Sequence, residues 1–95
     1  MGKREVFTRV LDIVSEVTDT PSEEILSKSR KEDIIDARYL LVYLLYENGV
    51  YPYHIANYIG CSTRNINKVI GDFLSRKSSR KYLRINYEQC KKNLG

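Results

Sequence analysis

The stretch Pro52-Tyr53-His54-Ile55-Ala56-Asn57-Tyr58-Ile59-Gly60-Cys61-Ser62-Thr63-Arg64-Asn65-Ile66-Asn67-Lys68-Val69-Ile70-Gly71-Asp72-Phe73-Leu74 decides the fold. Pro52 suits the first turn of a helix, where a missing N–H costs nothing. That helix reaches about Ile59, and Gly60 breaks it. Ser62 is placed to cap a second helix. The inner stripe of that helix is Ile66, Val69, Ile70, Phe73 and Leu74. Two helices joined by so tight a turn and crossing steeply make a helix-turn-helix. The first then needs a small residue where the second crosses it, and Ala56 supplies one. The turn needs a residue at ease with positive φ, and Gly60 follows four positions later. Ile55, Ile59, Cys61, Ile66 and Val69 sit where both helices must be pinned to a core.

The opposite face of the second helix carries different chemistry. Arg64, Asn67, Lys68 and Gly71 recur at i, i+3, i+4 and i+7, with Ser62 and Thr63 at the N-terminal end, and none is acidic. Arginine pairs with guanine and asparagine with adenine in the major groove. Serine and threonine bond bases or phosphates, and Gly71 lets the helix backbone approach a groove wall. In this motif the N-terminal part of the second helix meets base edges. Ser62, Thr63, Arg64, Asn67 and Lys68 are therefore the expected base-reading residues. Helix-turn-helix spacing also occurs in bundles that bind no nucleic acid, so charge must help to decide. Residues 1–59 carry seven Lys+Arg against ten Asp+Glu, a net of −3. Residues 60–95 carry nine against two, a net of +7, and the two segments give the overall +4. Such a basic pole points to a polyanion, here double-stranded DNA.

Working outward, Phe7, Val10, Leu11 and Val14 repeat at helical spacing, widened by Val6, Ile13 and Val17, and predict a helix over about 3–17. Thr20, Pro21 and Glu23 read as a cap, first turn and capping box for a short helix reaching about Leu26. Ser29 and Glu32 form a second such box, so the next helix is predicted to start near Arg30. Its Ala37, Leu40, Leu41, Leu44 and Leu45 make one stripe. Tyr39, Val42, Tyr43 and Tyr46 make the other faces largely apolar. A helix apolar nearly all round is central and buried. It ends at Asn48-Gly49. After Leu74 comes a basic polar stretch, Ser75 to Lys81, and then a last helix of poor period with Tyr82, Leu83, Ile85 and Tyr87. Strand alternation is missing, so the expected class is all-α: a compact bundle of five or six helices in a single domain over residues 1–95. Residues 75–95 form its basic C-terminal helix or tail.

Further cations fit as phosphate contacts. Lys28, Arg30 and Lys31 lie before and at the start of the central helix, with Ser27 and Ser29 between them as donors. Arg76 and Lys77 continue the positive charge beyond the helix-turn-helix, with Arg80 and Lys81 behind them.

These residues carry a resemblance. Leu26-Ser27-Lys28-Ser29-Arg30-Lys31, then Ala37-Arg38, then Tyr43-Leu44-Leu45-Tyr46-Glu47, together with Ile55 to Gly60, resemble the C-terminal DNA-binding domain of the bacterial replication initiator DnaA, whose fold is shared with the Trp repressor. That family shows a similar L-S-K-x-R loop, an A-R pair and a long apolar helix ending in Glu. The similarity spans about Val17 to Leu74. It implies a Trp-repressor-like fold, a helix-turn-helix in the major groove, and backbone contacts from Lys28, Arg30 and Arg38. The family's signature turn, Gly-Gly-Arg-Asp-His-Ser-Thr-Val, is one residue longer than Gly60-Cys61-Ser62-Thr63-Arg64-Asn65-Ile66, and its Arg, Asp and His have no identical counterparts here. The Gly-rich phosphate loop followed by Lys-Ser/Thr is also missing. The implied role is thus sequence-specific DNA binding in replication or transcription regulation, without ATPase activity.

Other classes fit less well. His54 is the single histidine, on the outer side of its helix, and Asp33 and Asp36 stand where carboxylates favour a helix dipole. Neither suggests catalysis. Cys61 and Cys90 lack the partners for a metal cage, so they read as reduced thiols, and no cofactor or small-molecule substrate is expected. The start, Met1-Gly2-Lys3-Arg4-Glu5, has no apolar signal segment, and no run approaches the ~18 apolar residues of a membrane span. A cytoplasmic location without membrane contact is the expectation. The rival is a protein-interaction domain. Eight tyrosines are many for this length. Tyr51, Tyr53 and Tyr58 cluster on one helix and its approach, and tyrosine is enriched at interfaces. Pairing as a homodimer, or with a larger protein partner, stays open.

Overall fold

The computed structural model describes residues 2–95 and is all-helical, with no strand among them. Six helices follow in chain order: α1 (Lys3–Thr18), α2 (Ser22–Ile25), α3 (Glu32–Glu47), α4 (Pro52–Ile59), α5 (Thr63–Ser79) and α6 (Lys81–Leu94). The central position expected for α3 is observed: it packs against each of the other five helices. Ile34, Ala37, Leu40, Leu41, Val42, Leu44 and Leu45 are buried on it. Val10, Leu11 and Val14 of α1 close one side of this core, and Ile66 and Phe73 of α5 another.

The chain turns where its chemistry allows. At the end of α3, Gly49 N–H donates to Tyr46 O (3.1 Å) and Val50 N–H to Leu45 O (3.0 Å), the paired bonds of a left-handed C-terminal cap. Gly60 ends α4 at φ +85°, and both Gly60 N–H and Cys61 N–H donate to Ala56 O, at 2.8 and 3.1 Å. A Cβ added at Gly60 would meet nothing within 4 Å, so a substitution there meets only backbone strain. Gly60→Ala is expected to cost about 1–2 kcal/mol, seen as a fall of roughly 4–8 °C in Tm per kcal/mol. An unchanged Tm would contradict the left-handed turn.

Both predicted capping boxes are absent. Thr20 Oγ1 donates back to Thr18 O (3.1 Å), and α2 begins after Pro21 without a side-chain cap. Ser29 Oγ accepts from Lys31 N–H (3.3 Å), so α3 starts at Glu32, two residues later than expected. The serine closes a turn in the loop in place of capping the helix. Ser62 does cap α5, accepting from Asn65 N–H at 3.1 Å.

The C-terminal third differs most from expectation. The polar stretch after Leu74 is helical, and α5 runs on to Ser79. Leu74, expected on the inner stripe, is 55% exposed, while Phe73 is fully buried. At 3.6 residues per turn Leu74 lies roughly 100° around the helix from Phe73, beyond the core. In α6 the buried stripe is Leu83, Tyr87 and Cys90, whereas Tyr82 and Ile85 face outward. Burial pushes the Cys90 thiol from 9.0 up to about 12, and it raises Tyr87 as well. Both groups stay neutral in the fold at pH values where they ionise in the unfolded chain. The stability this reflects is complete below pH 9 and is lost as the pH climbs from 9 toward about 12. Urea midpoints taken from about pH 8 to about pH 11 should fall only above pH ~9.

Candidate nucleic-acid interface

The helix-turn-helix pair is α4 and α5. Ile55, Ala56 and Ile66 are buried at its crossing, and Ile59, Cys61 and Val69 pack partly buried around them. This anchoring orients α5 and leaves its opposite face in solvent. Arg64, Asn67 and Lys68 are exposed there, as is Ser62, and Thr63 is half-buried. Among the described residues no hydrogen bond or ion pair engages the side chains of Arg64, Asn67 or Lys68. All five expected base-reading residues thus lie on one N-terminal segment. Ser62 also terminates the helix end where free N–H groups favour anions.

The loop between α2 and α3 stands opposite. Leu26 to Arg30 line one wall of a cleft of about 660 Å³, and Ile59, Gly60, Cys61 and Asn65 line the other. Segments 29 or more positions apart in sequence therefore line one depression. Lys28, Arg30 and Lys31 are exposed at the loop surface.

Four of the expected phosphate contacts are engaged within the fold. Arg38 lies in the cleft, where Nε donates to Ile25 O (3.0 Å) and Nη2 to Ser29 O (3.2 Å) and Ser27 O. These three carbonyls bracket Lys28, so the guanidinium braces the loop from inside; burial lowers its pKa from 12.5. Ser27 Oγ donates to Glu24 O (2.6 Å) and accepts from Ser29 N–H (3.2 Å), shaping the same loop. Arg76 Nε donates to Asp36 Oδ1 (2.8 Å) and its Nη2 to Glu32 Oε2 (3.0 Å), with the guanidinium 4.8 Å from the centre of the Tyr39 ring. Lys77 Nζ stands over the Tyr87 ring at 4.7 Å, on the side of α5 that meets α6. Arg38, Arg76 and Ser27 thus have internal partners, and Lys77 an aromatic one. Ser29 keeps its hydroxyl proton free, since its oxygen acts there as an acceptor.

Sequence reasoning missed Glu32, Asp36 and Arg80 as partners. Arg80 Nε donates to Asp36 Oδ2 (2.6 Å), and that hydrogen bond with the adjoining charge raises the Arg80 pKa. A signal was present: Glu32/Asp36 and Arg76/Arg80 are two i,i+4 pairs of opposite sign.

Elsewhere, Tyr51 and Tyr53 are 71% and 62% exposed, while Tyr58 stacks on Phe7 with centroids 4.7 Å apart. Lys3 Nζ donates to His54 Nε2 (2.8 Å). No group of three or more His, Cys, Asp or Glu side chains among the described residues could hold a metal ion. No helix among them is long and apolar enough to cross a membrane. The sequence matches no model of a known protein family, and no curated protein matches it.

Proposed function

We propose that this chain binds double-stranded DNA in a sequence-specific way, with α5 in the major groove and the α2–α3 loop on the phosphate backbone. One observation carries the reading: the loop bearing the exposed Lys28 and Arg30 lines one cleft with Gly60, Cys61 and Asn65, the turn and first helical turn that lead into the exposed, unpartnered polar face of α5. Arg64, Asn67 and Lys68, with Ser62 and Thr63, read base edges. Lys28, Arg30 and Lys31 hold phosphates, and Ser29 adds a hydroxyl donor. The role is that of a binding domain in replication or transcription control, akin to the initiator DnaA's C-terminal domain and without catalysis of its own. Its own turn, Gly60-Cys61-Ser62-Thr63, differs from that family's signature, so its preferred sequence is expected to differ too.

Selection from random duplexes tests this directly, and an enriched sequence is the expected result. With about three to five phosphate contacts, log Kobs should fall against log salt with a slope of about −3 to −5. Lys28→Ala is expected to weaken selected and random duplexes alike and to make the slope shallower by about 0.9. A flat salt response with no enriched duplex would overturn the reading. In that case the exposed Tyr51 and Tyr53 would favour a protein partner.

A further inference from the structure

Four charged groups join α3 to the end of α5: Glu32 and Asp36 on α3, Arg76 on α5, and Arg80 at the junction of α5 and α6. Asp36 accepts on both oxygens, Oδ1 from Arg76 and Oδ2 from Arg80, and is only 14% exposed. Glu32 Oε2 receives Arg76 Nη2 at 3.0 Å and Arg80 Nη1 at 3.5 Å. Two guanidinium groups one turn apart are thus locked onto two carboxylates one turn apart. The location matters as much as the bonding. Glu32 is the first residue of α3, immediately after the basic loop, and Arg76 lies in the last turns of α5, whose first turns carry the reading residues. The Tyr39 ring beneath Arg76 also lines the cleft between loop and reading helix.

We propose that this four-membered clasp sets the spacing between the phosphate-binding loop and the reading helix, so that Arg76 and Arg80 are positioning residues for the DNA interface. The inference rests on the DNA-binding reading above. The buried contacts of Ile66 and Phe73 hold α5 against the core, but apolar burial is non-directional and resists small rotation or sliding poorly. Charge-assisted bonds to a guanidinium are directional and supply what burial lacks. Arg64 lies about 18 Å along the helix from Arg76. A tilt of about 10° at the clasp would move it by about 3 Å at that rise per residue, whereas a reading constellation tolerates only about 0.5 Å.

Asp36→Asn tests this, because it alters the clasp and leaves every cation in place. Affinity for the selected duplex should fall about tenfold, as for one mismatched base pair. Affinity for random duplex should hold or rise, and the salt slope should not become shallower. Arg76→Lys keeps the charge, loses the fork, and should show the same pattern. If instead Arg76→Gln makes the slope shallower by about 0.9 on both duplexes, Arg76 is a phosphate contact and the proposal fails. A second arm needs no DNA. Nitroxide-bearing non-natural residues at positions 28 and 68 should give one narrow distance distribution in the parent protein and a broad one with Asp36→Asn. An unchanged distribution overturns the clasp alone. Broadening in a protein that selects no duplex overturns the DNA-binding reading, and with it the interface role.

Discussion

Phe73→Ala is expected to destabilise the protein by about 3–5 kcal/mol. A small domain has only about 5–15 kcal/mol in total, so much of the population would unfold near physiological temperature. Phe73 is fully buried where α3, α5 and α6 meet. Its ring stacks on Tyr43 at 4.1 Å between centroids and 12° between planes, and Tyr87 lies 5.4 Å away. Each such aromatic pair adds about 0.5–1.5 kcal/mol beyond buried area. Collapse into the vacated space is resisted. Tyr87 is held by its hydroxyl, which donates to the Glu47 carboxylate at 2.8 Å to Oε1 and 2.9 Å to Oε2. Urea denaturation followed by circular dichroism measures the loss. The control is the neighbouring Leu74→Ala, whose side chain is half exposed and which should shift stability by about 0.5 kcal/mol or less. Equal losses at the two positions would contradict the placement of this core.

The second large effect concerns recognition and leaves folding alone. Arg64→Ala or Asn67→Ala should each cost about 1–3 kcal/mol on a selected duplex. Together they should cost about 2–6 kcal/mol if they read separate base pairs. Both side chains are exposed and have no partner within the protein, so Tm should stay within the small range of a surface substitution. Fluorescence anisotropy with selected and scrambled duplexes separates the contributions. Asn67→Ala should leave scrambled duplex nearly untouched, since asparagine carries no charge to release counterions. Matching losses on both duplexes would remove Arg64 and Asn67 from the base-reading role.

Much of this architecture was legible because it depends on local rules. The period of Leu40, Leu41, Leu44 and Leu45 within an otherwise apolar helix marks α3 as central. Gly49 and Gly60 mark ends that need a left-handed residue, and each adopts one, at φ +87° and +85°. Serine caps were less legible, since a hydroxyl has several backbone partners within reach. Ser62 took the helix N–H, while Ser29 took a loop N–H two residues on. The last helix was obscured because its stripe ends in Cys90, a residue read for its chemistry and not as the small apolar group it is when buried. The exposed Tyr82 and Ile85 blurred the period further.

Spacing along the chain therefore settles where most helices lie, the glycine ends of α3 and α4, and which face of α5 carries arginine, asparagine and lysine. These are interactions among near neighbours, encoded within a few residues. Which cations remain available to a polyanion was decided by folding. Arg38 and Lys28 look equivalent in the sequence, yet one is turned inward to three carbonyls and the other stands in solvent. Arg76 finds Asp36 only because two helices forty positions apart cross there. A buried guanidinium must find acceptors, and the chain's long-range packing alone determines which acceptors are near.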